Sequence, residues 1–126
     1  MAVQRIAGPS ASFDESRFYD QTLAALRYAQ KTAVTRQRTV CATFTATQLA
    51  LAYRFAYGPG VCDTGLMPPA GGTGAAYTVT AQGGAGYNPV PASFNYDRIG
   101  SPSAGQTINL IGGRQIVIEP GTGYVR

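Results

Sequence analysis

The chain has 126 residues, 44% of them hydrophobic, with a formal net charge of +4, 16 glycines and 8 prolines. That length suits a single domain (1–126) whose core folds without a metal. The hydrophobic fraction excludes a disordered chain, so the Gly and Pro excess belongs in turns between strands. With no histidine, and with Cys41 and Cys62 far from Cys-x-x-Cys spacing, imidazole catalysis is excluded and a zinc site would need an unusual set of thiols and carboxylates.

Ser12-Phe13-Asp14-Glu15 fits a capping box and predicts a helix start there, with the Ser12 hydroxyl accepting from the Glu15 amide and the Glu15 carboxylate reaching back. From Phe13 to about Arg36 the chain has no Gly or Pro, and Tyr19, Leu23, Leu26, Ala29 and Ala33 recur at three- and four-residue steps as one apolar stripe. Asp14, Glu15 and Asp20 come early while Lys31, Arg36 and Arg38 come late, which complements the helix dipole. The small residues Ala24, Ala25, Ala29 and Ala33 allow a sheet to approach closely. The basic side, Arg27, Lys31 and Arg36, is the candidate face toward partners; a solvated face that keeps the chain soluble is the plainer reading of the same charges.

Val40, Ala42 and Phe44 alternate with Cys41, Thr43 and Thr45, and Leu49, Leu51, Tyr53 and Phe55 alternate with Ala50, Ala52 and Arg54. This period of two predicts a β-hairpin whose apolar face covers the helix stripe. Residues 58–74, with Gly58-Pro59-Gly60, Pro68-Pro69 and Gly71-Gly72, are expected to form a long surface loop, for which receptor contact and simple surface filling are both open. Beyond it, Tyr77–Ala81, Phe94 with Tyr96, Ile108 with Leu110, and Ile116 with Ile118 are strand candidates forming a second antiparallel group, with Gly112-Gly113 as a tight hairpin turn.

For Cys41 and Cys62 a disulfide is the expected state. It would stabilise the fold by about 3 kcal/mol and implies a periplasmic or extracellular compartment; two buried reduced thiols in the cytosol are the alternative. General-base chemistry would fall to Asp14, Glu15, Asp20, Asp63, Asp97 and Glu119, whose contexts read as helix-start, surface and turn positions. Gly83-Gly84-Ala85-Gly86 lacks the lysine and following helix of a phosphate-binding loop. The expectation is therefore a non-enzyme with no cofactor, no metal and no small-molecule substrate. No segment has the apolar length to cross a bilayer.

Leu26-Arg27-Tyr28-Ala29-Gln30-Lys31-Thr32-Ala33-Val34, followed by a basic turn and the strand from Val40, resembles the helix-to-first-strand signature of GspH/FimT-type minor pilins and pseudopilins. The ending, Ile116-Val117-Ile118 then Thr122-Gly123-Tyr124-Val125, is similar to that family's terminal strand pair. Phe13-Asp14-Glu15-Ser16-Arg17-Phe18-Tyr19 and the cysteine pair look most like its MSHA-type branch. The resemblance implies a pilin-like α+β fold, one long N-terminal amphipathic helix packed on antiparallel sheet. It also implies a structural subunit of a type IV pilus-like fibre or type II secretion pseudopilus, acting in assembly or priming at the tip.

Its partners would be other major or minor pilins or pseudopilins. The inner membrane would be reached through an apolar N-terminal helix that family members carry before the residues seen here, so the chain is expected to be a truncated form. Localisation would run from inner membrane and periplasm to the cell-surface pilus or periplasmic pseudopilus. Some family members bind DNA through a basic C-terminal segment; the candidates are Arg114 and Arg126, with Tyr124 where a second basic residue is expected. One or two arginines give only weak, salt-sensitive affinity, so a terminal strand with a solvated arginine is the simpler reading.

Overall fold

The computed structural model describes residues 2–58, 60–69 and 76–126, with side chains described from Phe13 onward. It is an α+β fold: helix α1 (Ala2–Arg36) followed by seven strands, β1 (Val40–Phe44), β2 (Gln48–Tyr53), β3 (Thr64–Gly65), β4 (Thr78–Thr80), β5 (Phe94–Tyr96), β6 (Gln106–Asn109) and β7 (Gln115–Ile118).

The helix does not begin at Ser12. It continues back to Ala2 across Gly8 and Pro9, because Ser and Glu at capping-box spacing are also compatible with a helix interior and mark a terminus only where the chain actually turns. The Ser12 side chain lies outside the described residues. The Glu15 carboxylate sits against Gly112 in the β6–β7 turn, where a Cβ would meet it. The buried face of α1 is Phe18, Thr22, Ala25, Leu26, Ala29, Thr32 and Ala33, steps of three and four that complete one stripe. Tyr19 and Leu23 flank it half-buried.

Gln37 ends the helix in the left-handed region, φ 56°, and the Arg38 amide donates back to the Ala33 carbonyl at 3.1 Å. This six-to-one bond is a Schellman closure with glutamine where glycine is usual.

β1 and β2 form the expected antiparallel hairpin, with Ala42 opposite Leu51 and Phe44 opposite Leu49. Val40, Ala42, Phe44, Leu49 and Leu51 all face the helix and are buried, since a period of two puts one whole set of side chains on one face. Phe55 does not continue the strand: β2 stops at Tyr53, and Phe55 is exposed.

The strands after residue 58 divide differently from the expected second group. β5 pairs with β1, while β3 and β4 share the outer edge of β2, β4 beside Gln48–Ala50 and β3 beside Ala52–Tyr53. Only β6 and β7 stand apart, as a hairpin with Ile108 opposite Ile116 and with Gly112 and Gly113 both at positive φ in its turn. The physical reason is burial. Phe94 and Tyr96 present their rings to the same core as Phe44, and β1 had an unpaired edge to receive them. The loop after residue 58 is not wholly superficial either, because Leu66, directly after β3, is completely buried. Residues 59 and 70–74 of it lie outside the described residues.

An aromatic run ties the layers together: Phe18 to Tyr87 at 4.7 Å, Tyr87 edge-on to Phe44 at 5.2 Å, Phe44 to Phe94 at 6.4 Å and Phe94 edge-on to Tyr96 at 5.2 Å. Its polar tips are satisfied. The Tyr87 hydroxyl shares a hydrogen bond with Thr22 Oγ1 at 2.8 Å, and the Tyr96 hydroxyl donates to the Gly123 carbonyl at 3.1 Å.

Burial pushes the Tyr87 phenol up to about 12, partly opposed by the Thr22 bond, and pushes Tyr96 up as well. The unfolded chain therefore ionises these phenols first. The stability they contribute is fully present below the ordinary value of 10.0 and is lost as pH rises toward about 12. The expected result is a falling urea midpoint between about pH 10 and about pH 12. Tyr87→Phe should flatten that fall; an equally steep fall in the variant would contradict the assignment.

Two strand edges are covered by the chain itself. Along β5, Ser103 donates to the Asn95 carbonyl at 2.7 Å and Tyr96 bridges to Pro102. Along β7, the Val117 and Arg126 amides and carbonyls bond reciprocally at 2.8 and 3.0 Å, and Ile118 bridges to Val125. The terminal segment is thus a single bridge rather than a full strand, since Gly121 and Gly123, both at positive φ, bend it inward.

Candidate docking surface at the carboxyl end of the helix

The two ends of the chain that carry the family resemblance meet in space. Gln30 Nε2 donates to the Gly100 carbonyl at 2.9 Å and to the Thr122 carbonyl at 2.8 Å, and the Arg27 fork donates to the Val125 carbonyl at 3.2 and 3.1 Å. Arg27 is therefore committed to fastening the last residues onto α1 and is not a free member of a partner face. Lys31 and Arg36 are exposed.

Arg114 and Arg126 are each engaged separately. The Arg114 guanidinium lies 5.4 Å from the Tyr19 ring centre, and Arg126 Nε pairs with Glu119 Oε2 at 2.6 Å. Arg126, already paired with Glu119, attracts phosphate less.

Cys41 and Cys62 form a disulfide, S–S 2.07 Å. Cys41 sits on the face of β1 turned away from the helix, and its bond pins the segment following β2. Other groups hold the same segment. The Asp63 amide donates to the Tyr53 carbonyl at 3.1 Å, and Asp63 Oδ1 accepts from the Phe55 amide at 3.0 Å and from the Thr64 hydroxyl at 3.1 Å. The Phe55 bond first, then the Thr64 bond, with a smaller contribution from the Arg54 charge, hold the Asp63 carboxyl below its usual value, so it stays ionised. The Arg54 guanidinium fills the space that a Cβ at Gly60 would need. Arg38 Nε donates to the Phe55 carbonyl at 2.8 Å, and its guanidinium lies 3.5 Å from the Tyr57 ring centre.

This braced segment exposes Phe55 at 68%, Tyr57 at 70% and Val61 at 80%. Clefts lie on both sides of it. One, of about 270 Å³, is lined by Arg36, Arg38, Tyr53, Phe55 and Tyr57. The other, of about 440 Å³, is lined by Gln37, Thr39, Gly58, Asp97, Arg98 and Ile99. In the second, Asp97 Oδ1 accepts from the Ile99 and Ser101 amides, both at 3.0 Å, and Gln37 Nε2 donates to the Arg98 carbonyl at 3.3 Å.

Sequence reasoning reached this surface only from residue 58 onward, where a loop with receptor contact left open is expected, and it placed Phe55 in the strand before it. The alternation through Tyr53 and Phe55 reads as core, and the Gly58-Pro59-Gly60 break marks where the loop is under way rather than where the strand ends.

Among the described residues no group of three or more His, Cys, Asp or Glu is placed to hold a metal, and no helix is long and apolar enough to cross a membrane. The chain matches no family model, no curated protein and no solved structure.

Proposed function

We propose that the chain is a structural subunit of a type IV pilus-like or type II secretion fibre, of the GspH/FimT-type minor pilin and pseudopilin class and nearest its MSHA-type branch, acting in assembly or priming at the tip. The observation that carries this reading is the fastening of the helix segment Arg27–Gln30 to the ending Thr122–Val125, the two stretches on which the resemblance rests. Supporting it are a 35-residue helix that serves as a spine for antiparallel sheet, and a disulfide suited to a periplasmic or surface location. On this reading the protein works by docking, its partners are other pilins or pseudopilins, and membrane attachment comes through the apolar helix that the resemblance implies.

The six acids fit a non-catalytic role. Asp63 and Asp97 brace loops, Glu119 pairs with Arg126, Asp14 and Glu15 lie against glycine turns, and Asp20 is exposed.

The test is deletion of the gene in its host. Loss or shortening of surface or periplasmic fibres, restored by the wild-type gene, is expected, together with recovery of other pilins after crosslinking in intact cells. Unchanged fibres and no pilin among the crosslinked partners would sink the reading. DNA capture is the second reading, and duplex DNA affinity at low salt that Arg114→Ala with Arg126→Ala abolishes would favour it instead.

A further inference from the structure

The loop that the disulfide holds out from the sheet is an unusual expenditure of apolar surface. Of the large hydrophobic side chains exposed among the described residues, Phe55, Tyr57, Val61 and Ile99 border the two clefts or the segment between them. Exposed apolar residues scattered singly need no explanation, but a cluster on a rigid support marks an interaction site. Rigidity here has four separate sources: the Cys41–Cys62 bond, the Asp63 carboxylate, Arg54 packed over Gly60, and Arg38 bonded beneath Phe55 and Tyr57. Binding to such a support loses little conformational entropy. The left-handed Gln37 adds a strained residue at the same place.

The charge around the cluster identifies the kind of occupant. Four arginines, Arg36, Arg38, Arg54 and Arg98, surround it against two carboxylates, Asp63 and Asp97, whose bonds from backbone amides do not cancel their charge, and Arg36 and Arg98 are exposed at its rim. The rim is therefore positive and the centre aromatic and aliphatic.

From this juxtaposition we propose that Phe55, Tyr57 and Val61, with the two clefts beside them, form the docking site for an acidic, apolar segment of another protein, its hydrophobic side chains seated in the clefts and its carboxylates facing Arg36 and Arg98. Aromatic side chains and arginine are the residue types that dominate protein interfaces. Nucleic acid is the poorer match. Only Phe55 and Tyr57 offer rings for bases to stack on, Arg38 already lies over one face of Tyr57, Val61 and Ile99 offer no π-face, and the remaining arginines neutralise too few phosphates. The site does not depend on the fibre reading.

The test uses the full-length protein made in its own host, with the photoreactive amino acid benzoylphenylalanine placed at Tyr57 or Ile99, and at Val90 as a control on another exposed surface. Crosslinks from positions 57 and 99 should converge on one segment of one protein, rich in Asp or Glu and in apolar residues. A synthetic peptide of that segment should bind the purified chain. Arg36→Glu with Arg98→Glu should weaken it at least about tenfold, and lysines in place of the peptide's acids should recover binding to that variant.

Ile99→Ser, at a position with no bracing role, should weaken binding while leaving the melting temperature unchanged, which separates a lost contact from a lost fold. Crosslinking at 57 and 99 no stronger than at 90, crosslinks to nucleic acid or to a second copy of the chain, or binding indifferent to the charge reversal would each overturn the proposal.

Discussion

Gly123→Ala is expected to destabilise the protein by about 3 kcal/mol or more, the largest effect of any single methyl group added to a described turn. Two costs add. Gly123 has φ +72°, where an L side chain is strained, and a Cβ there would come within 2.6 Å of the Gly100 carbonyl oxygen, 2.8 Å of Gln30 Nε2 and 2.8 Å of Tyr96 Cε1. Those neighbours are the ones that fasten the chain end to the helix and satisfy the Tyr96 hydroxyl, so none can retreat without breaking a hydrogen bond. Gly113→Ala is the comparison. It also has positive φ, +96°, but nothing lies within 4 Å of its would-be Cβ, so only the backbone cost of about 1 kcal/mol remains. Urea unfolding of the two variants measures the difference directly, and near-equal midpoints would show that the end of the chain is loosely held.

Removing the disulfide by Cys41→Ser with Cys62→Ser should cost about 3 kcal/mol, because a cross-link spanning 21 residues restricts the unfolded chain far more than the folded one. For a domain of this size the melting temperature should fall by roughly 10 °C. Serine fits at both sites, since both cysteines are half-buried on the side of the sheet away from the helix. The native protein should show the same fall when reduced, and the double variant should be indifferent to reductant. A double variant that melts with the oxidised protein would mean that Asp63, Arg54 and Arg38 suffice to hold the loop.

The parts of this fold that were legible in the sequence are those where burial on one side imposes a period. Val40 to Tyr53 had to be a hairpin because alternate residues needed the core, and Leu26, Ala29 and Ala33 had to share a helix face for the same reason. What could not be read is pairing between segments far apart in the chain. The alternation of Phe94 and Tyr96 says that they face a core, but not that β1 is their neighbour. Reach was equally hidden: helical spacing puts Arg27 on the solvent side, yet its side chain is long enough to cross to the Val125 carbonyl. The Ser12–Glu15 pattern misled because the same residues serve a continuing helix. At the candidate site, Cys41, Cys62 and Arg36 were singled out, whereas Phe55 was assigned to the core it in fact avoids.

The self-covered margins of β5 and β7 bear on how this chain can meet another. Backbone amides along those two margins are already satisfied, so neither can recruit a neighbour by extending a ribbon, a mode of association that ignores side-chain identity. Contact at those margins must be written in surface residues alone. Such a code is freely editable: loop-borne side chains can drift to suit a new neighbour while the hydrogen-bonded scaffold beneath them stays the same.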